Sequence, residues 1–262
     1  MHEVIVNHMD LYQIANSGQC FRWEKIKDNS YRIPAFGKEL IITQNGNSFT
    51  MSCNKDEWEK EWKDYFDVET ETNYDEVEKI VALSDDDFLK TAYQYGNGIR
   101  ILRQDFWEVL ISFIISQNNN IPRIRKSIEA ICRETGGKFP NFYELKDMDL
   151  SDKGLGYRDK YIQAACMLYD DNDTFIHLMT DTQAKEYLMK FKGIGNKVAD
   201  CICLFGLHHL EAFPIDTHVR EVIEREYNGQ IPEWAKTEYA GLLQQYIFYY
   251  ELNKNKKKKG KG

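Results

Sequence analysis

The most constraining feature of this chain is a place where two helical patterns meet with almost nothing between them. In Leu188-Met189-Lys190-Phe191-Lys192-Gly193-Ile194-Gly195-Asn196-Lys197-Val198-Ala199-Asp200-Cys201, the spacing predicts one helix over 183–191 and a second over 197–207. The junction is Gly193-Ile194-Gly195, too short for an ordinary loop. Glycine takes positive φ cheaply and lets backbones approach closely. Ile194 can then turn back into the core, and the second helix starts near Gly195 or Asn196 with unpaired N–H groups pointing outward. Such a helix start attracts a phosphate. The pattern reads as a helix-hairpin-helix at about 183–207, a device that grips nucleic-acid backbone without reading sequence. A plain helical hairpin with a glycine cap has the same spacing.

Around this hairpin the 262-residue chain falls into two unlike parts. The runs 3–7, 20–27, 31–36, 39–43 and 48–52 are short and rich in aromatic and branched residues. Turn-formers separate them at Asp28-Asn29-Ser30, Gly37-Lys38 and Asn45-Gly46-Asn47. This predicts an antiparallel meander, followed by a helix over 56–66 whose Trp58, Trp62, Tyr65 and Phe66 lie across the sheet. The acidic stretch 70–87 reads as a connector. Beyond it the pattern is helical: a buried central helix over 107–116, then helices over 123–134, 161–169, 183–191, 197–207, 217–226 and 235–252, with Pro214 and Pro232 between them. The expected class is α+β. A sheet domain spans 1–90, a helical domain spans 91–253, and 254–262 is a disordered lysine-rich tail.

Composition narrows the function. The net charge is -8, and removing the six tail lysines would carry it to -14, which excludes a general polybasic coat for nucleic acid. No apolar run reaches the roughly 20 residues of a membrane span, and the first twenty residues lack a signal-peptide pattern. The six cysteines contain no C-x-x-C pair, so the sequence indicates no zinc site and no disulfide framework; free thiols in a reducing compartment are expected.

Two side chains carry candidate chemistry. Lys197 falls in the first turn of a helix, where the macrodipole disfavours a cation. Cys201 and Phe205 follow at four and eight residues, on the same face. An amine among apolar and thiol neighbours is favoured in its neutral form, which is a nucleophile; the alternative is a lysine that snorkels to solvent. Asp216 ends the apolar run Ala212-Phe213-Pro214-Ile215 and precedes Thr217-His218-Val219 at a helix start. Aspartate there is ordinarily an N-cap, but a carboxylate can also stabilise positive charge on a sugar. His218 at the same helix start is placed to contact a phosphate or simply to pack.

Lys197 within Gly-Ile-Gly-Asn-Lys-Val-Ala-Asp-Cys, with Asp216 in Pro-Ile-Asp-Thr-His-Val, closely resembles the helix-hairpin-helix DNA glycosylases. Further motifs narrow the resemblance to the 8-oxoguanine DNA glycosylase family. They are Ser17-Gly18-Gln19-Cys20-Phe21-Arg22-Trp23, Ile101-Leu102-Arg103-Gln104-Asp105, the stretch from Ser116 to Ile124, Gly154-Leu155-Gly156-Tyr157-Arg158, and Tyr239-Ala240-Gly241 through Phe248. The matches span about Ser17 to Phe248. The chain departs from the family pattern at Gln117 and Pro122, and at Phe205, where methionine is frequent. No cluster-type cysteine array follows Asp216, which disfavours the iron–sulfur branch.

The resemblance implies a bifunctional DNA N-glycosylase and abasic-site lyase that flips 8-oxoguanine out of duplex DNA. Lys197 would attack C1′ and Asp216 would favour the oxocarbenium-like state. Gly18, Cys201, Phe205, Gln244 and Phe248 would form the damaged-base pocket. Asn118, Arg123, Tyr157 and Arg158 would occupy the gap and meet the orphaned cytosine, while His218, Gly193 and Gly195 would contact DNA. No cofactor is implied for the chemistry, apart from a monovalent cation bridging hairpin carbonyls to a phosphate. The implied partner is double-stranded DNA containing 8-oxoguanine, with no membrane and a monomeric protein, nucleoid-associated in a bacterial cytoplasm or nuclear in a eukaryote. Two rival readings remain: a glycosylase for another damaged base, and a catalytically silent DNA-binding protein.

Overall fold

The computed structural model describes residues 2–169 and 174–259. Its amino-terminal part is a five-stranded antiparallel sheet of order β1-β5-β4-β3-β2, with β1 His2–Ile5, β2 Glu24–Lys27, β3 Ser30–Ala35, β4 Lys38–Asn45 and β5 Ser48–Met51. The last four strands are the expected meander, and β1 adds on beside β5. Phe36 and Gly37, both at positive φ, make the β3–β4 turn, one residue earlier than the sequence suggests. A type I′ hairpin needs that backbone twist at both central positions, and here Phe36 tolerates it with its ring edge-on to Tyr65 at 5.8 Å. Along β4, Leu40 and Ile42 are buried while Glu39 and Ile41 face out. Helical turns over 55–65, with a π-type stretch Trp58–Trp62, cover the inner face with Trp58, Trp62, Tyr65 and Phe66. A short helix, Leu11–Asn16, capped by Asp10, is an element the sequence reading did not foresee.

The second core is helical and is centred on Phe106–Ser116, whose residues are buried except Glu108 and Ser116. The acidic stretch read as a connector is instead a helix, Tyr74–Leu83, capped by Asn73 and followed by a second helix, Asp87–Gly96. Tyr74, Val77 and Val81 bury one face of the first, and its acids decorate the others; net charge hid a helical period. Buried residues of both helices, among them Tyr74, Val77, Val81, Leu89 and Ala92, belong to the helical core, which also takes in Phe21, while Leu102 packs in the sheet core. The last helix runs Ala240–Lys259. Residues 233–236 form a separate 3-10 turn, closed by the Thr237 hydroxyl on the Trp234 carbonyl at 2.8 Å, so the expected start at 235 is corrected to 240. That helix runs on into the lysine-rich stretch as far as Lys259, since lysine is a good helix former and a formed helix propagates at low cost; the rest of the expected tail, residues 260–262, lies outside the described residues. No helix among the described residues is long and apolar enough to cross a membrane.

A buried polar seam joins the cores. Asp67, 1% exposed, accepts bonds from Tyr74 at 2.8 Å, Thr70 at 2.5 Å and Arg103 at 3.0 Å, and lies 3.4 Å from His208. Burial alone would raise this carboxyl, but His208, Thr70 and Tyr74 together hold it well below the usual carboxylate range. A depressed folded-state carboxyl contributes stability that is present above its unfolded value near 3.8 and is lost as pH falls below it. Removing one member of such a buried set costs about 3–5 kcal/mol. Urea unfolding of Asp67→Ala should show a loss of this size at neutral pH, and a smaller difference from wild type at pH 3 than at pH 7.

Candidate active site

The site is assembled where five segments of the chain meet. The first helix of the hairpin, Asp181–Leu188, ends three residues earlier than expected, and the second begins at Asn196. At Gly193, φ is +87° and an added Cβ would fall 2.5 Å from the Tyr161 ring, so only glycine fits against that ring. Ile194 turns inward and is buried, as its position between glycines suggests. Gly195 caps the second helix without any side-chain bond to its first N–H groups, which leaves them open to an anion.

Lys197, Cys201 and Phe205 rise from this helix along one face and line one cavity of about 60 Å³. The Lys197 amine sits 5.9 Å from the centre of the Phe113 ring, and Phe113 in turn stacks on Phe205 at 5.5 Å. Among the described residues no carboxylate oxygen lies within the 4.0 Å ion-pair limit of that amine. Burial pushes the Cys201 thiol up to about 11, against the lowering effect of the neighbouring Lys197 charge and hydrogen bond. The thiol is therefore a neutral wall at physiological pH.

Asp216 enters the same cavity from the start of Thr217–Glu226. Its carboxylate caps that helix by accepting from the Val219 N–H at 2.8 Å. The cap and the site are one placement, because the cap fixes one oxygen and so orients the other. Pro214, two residues before, has its carbonyl bonded by the Gln244 amide at 3.2 Å, which ties this segment to the last helix.

The last helix contributes Gln244, Gln245 and Phe248, and the loop after Leu11–Asn16 contributes Ser17 and Gly18. Gly18 has φ +83°, and its missing Cβ would meet the Phe248 ring at 3.3 Å. Phe248 thus lies against the Gly18 backbone. The side-chain oxygens of Gln244 and Gln245 are buried without a partner. Buried acceptors of this kind are costly unless a ligand or water satisfies them. His218 stands 6.2 Å from the Phe248 ring with a buried, unpartnered Nδ1.

A second group of candidates gathers near the hairpin turn. Asn118, at positive φ and exposed, donates to the Tyr157 hydroxyl at 3.2 Å, and the Tyr157 ring meets Tyr161 edge-on at 5.5 Å. Arg123 is exposed in the first turn of Ile121–Arg133, where Pro122 fits because the first helical N–H groups need no partner. Arg158 differs from the expectation of a free contact. It is 6% exposed and donates to the carbonyls of Gln117, Asn118 and Leu155.

Several lining residues escaped the sequence reading, among them Phe113, Ser17 and Gln245. For Gln245 a signal existed: two adjacent glutamines interrupt the apolar run from Leu242 to Phe248. Its amide donates to the Ser17 carbonyl at 3.1 Å and so braces the peptide next to Gly18. Gln19 supports the same loop from behind, through Arg100 and Leu102. A much larger groove of about 1050 Å³ runs between sheet and helical body past Arg22 and Glu108, but it contains neither Lys197 nor Asp216.

A sheet domain packed on a helix-hairpin-helix body, with a lysine and a carboxylate in one cleft, defines a lyase-type DNA glycosylase architecture. Residues 3–110 match the family model for the 8-oxoguanine DNA glycosylase N-terminal domain. The N-glycosylase/DNA lyase of Saccharomyces cerevisiae is 33% identical over 259 residues, covering 83% of this chain and 68% of the relative. The probable N-glycosylase/DNA lyase of Methanothermobacter thermautotrophicus is 29% identical, covering 95% and 94%. The crystal structure of Clostridium acetobutylicum 8-oxoguanine glycosylase/lyase with double-stranded DNA containing cytosine opposite 8-oxoguanine superimposes with a TM-score of 0.86 at 32% identity, covering 95% of this chain and 94% of that one. The chain belongs to the 8-oxoguanine DNA glycosylase/lyase family.

The hairpin geometry is directly testable. Gly193→Ala should lower stability by about 1–3 kcal/mol through the strained φ and the clash with Tyr161. Tyr161→Ala in the same chain should recover part of the loss, leaving a double-mutant cycle in denaturant unfolding clearly non-additive.

Proposed function

We propose that this protein excises 8-oxoguanine from duplex DNA and then cleaves the resulting abasic site, with Lys197 as nucleophile. The observation that carries the reading is the convergence, in one cavity, of the Lys197 amine and the Asp216 carboxylate beneath the Gly18 loop. Flipping a base out of the stack costs a few kcal/mol, and the pocket recovers this through contacts with the extruded base. Cys201 as a neutral thiol and Phe248 as a ring take the two faces of the base. Phe205, stacked on Phe113, lies behind them. The unpartnered Gln244 oxygen accepts from the N–H groups of a guanine pairing edge. The Gly18 carbonyl accepts from N7–H, a donor that 8-oxoguanine has and guanine lacks; a wrongly matched bond there is worth about 1–3 kcal/mol.

In the chemical step the amine attacks C1′ as the bond to the base nitrogen breaks, and Asp216 stabilises the positive charge that develops on the sugar. Loss of the amine proton and ring opening give a Schiff base at C1′. Removal of a C2′ proton then expels the 3′ phosphate, and water releases the lysine. These steps need only side chains and water. Gly193, Gly195 and His218 face the DNA backbone, and backbone carbonyls of the hairpin would hold a monovalent cation that offsets phosphate charge. On the opposite strand, Asn118 and Tyr157 fill the gap and Arg123 offers a free guanidinium; Arg158 reaches the orphaned cytosine by exchanging its carbonyl bonds. The protein acts as a monomer on DNA in the nucleoid or nucleus.

Borohydride should trap a covalent complex between wild type and 8-oxoguanine duplex, and Lys197→Gln should form none. Asp216→Asn retains a helix cap but loses the charge, so single-turnover excision should fall by about 10²- to 10⁴-fold. Equal rates for wild type and Lys197→Gln would remove the lysine from the mechanism. The same assay against each opposing base should favour cytosine, with Arg123→Ala narrowing the preference.

A further inference from the structure

Behind the hairpin, away from the pocket, the fold brings together three ligating side chains that no sequence motif links. Cys201 faces the cavity, and Cys203, two residues on, points to the other side of the same helix. Cys203 is fully buried. Asp181 opens the first helix of the hairpin, just after its Thr180 cap. His209 follows the end of the second helix, held there by its backbone N–H on the Cys203 carbonyl at 3.0 Å. One ligand atom from each of Asp181, Cys203 and His209 lies within 4.8 Å of the other two.

The atoms are poorly satisfied by one another. Asp181 Oδ1 and His209 Nδ1 are 3.8 Å apart, too far for a hydrogen bond, and both are buried without a hydrogen-bond partner among the described residues. Two ligands on a tetrahedral zinc, at metal distances of about 2.0–2.3 Å, stand about 3.3–3.7 Å from each other. The Asp181–His209 separation exceeds that by a few tenths of an ångström, and the pairs that include Cys203, within 4.8 Å, reach it with side-chain shifts of about 1 Å or less. The nearby Asp200 carboxylate is taken by Lys185 at 2.6 Å, so it stays outside the set and its charge is offset. His208, the adjacent histidine, bonds the Ile101 carbonyl instead. Asp181 and His209 remain partly exposed, which gives an ion an entry path.

We propose that Asp181, Cys203 and His209 bind a divalent ion of zinc type, with water as the fourth ligand. One thiolate, one imidazole and one carboxylate form a borderline-soft donor set, which suits zinc or cobalt over magnesium or calcium. Binding converts the Cys203 S–H to a metal–sulfur bond and releases one proton to solvent. The ion clips the start of the hairpin's first helix to the end of its second. It therefore braces the DNA-gripping turn from the side opposite the cavity, and it takes no part in the reaction at the sugar.

The test uses the full, untagged chain, stripped of metal and titrated with Co²⁺, then with Zn²⁺ in competition. Wild type should take up one equivalent of Co²⁺ with a thiolate-to-cobalt absorption band, and Zn²⁺ should displace it and raise the thermal midpoint. His209→Gln should weaken binding at least about tenfold, since even loss of an outer partner of a metal ligand costs that much. Cys203→Ser should lose the band, and Cys166→Ser should keep it. His209 is partly exposed, so His209→Gln keeps the test sound if Cys203→Ser fails to fold. Absence of a thiolate band in wild type, or a band unchanged in His209→Gln, would overturn the proposal. Neither outcome bears on base excision, which is read separately by borohydride trapping.

Discussion

The pocket depends on a buried cation. Arg100 is 6% exposed and spends its guanidinium on the carbonyls of Asn7, His8 and Asp67 while lying 4.1 Å from the centre of the Tyr74 ring. Those carbonyls belong to the sheet side of the molecule, and Tyr74 belongs to the helical side. A charge buried this deeply is tolerable only when nearly all its donors are used, so the two cores have little freedom to slide. The Arg100 carbonyl then receives the Gln19 amide, one residue beyond Gly18. The Gly18 loop is thereby referenced to the seam rather than to its own short helix. Gly18 lies against Phe248, and Lys197 and Asp216 line the same cavity.

The helix Asn196–Gly206 shows how one element serves several ends. Its start is left without a side-chain cap, so its first N–H groups are open to an anion. One face carries Lys197, Cys201 and Phe205 to the cavity, and the other carries Cys203 toward Asp181 and His209. Its middle is wholly buried against Phe106–Ser116, so its register is set by packing. In the proposed mechanism, a lysine on so rigid a support loses little further entropy when it meets its target, which is the advantage of placing reactive groups on helices rather than loops.

In the proposed mechanism, Asp216 joins a common structural role to a chemical one. Capping accounts for one carboxylate oxygen and leaves the group in the cavity wall. Arg158 illustrates the reverse. A charged residue in a glycine-rich loop resembles a surface contact, yet here it organises the loop by binding three carbonyls. Its exposure was decided by the path of the Gln117–Asn118 backbone, which no local pattern encodes.

What the sequence determined by itself was local: the alternation of the strands, the buried helix Phe106–Ser116, the glycine hairpin, and the shared face of Lys197, Cys201 and Phe205. Each follows from backbone sterics or from a 2.0- or 3.6-residue period, which operate over a few neighbours. Family motifs extended that reading to Gly18 and Gln244. The helix Tyr74–Leu83 was open to the same logic and was hidden by its charge. Tertiary structure alone decided the bracing of Ser17 by Gln245, the burial of Arg158, and the meeting of Asp181, Cys203 and His209. These depend on crossing angles between helices and on the docking of two cores. Such quantities are set by the packing of many side chains at once, and a one-dimensional period carries no record of them.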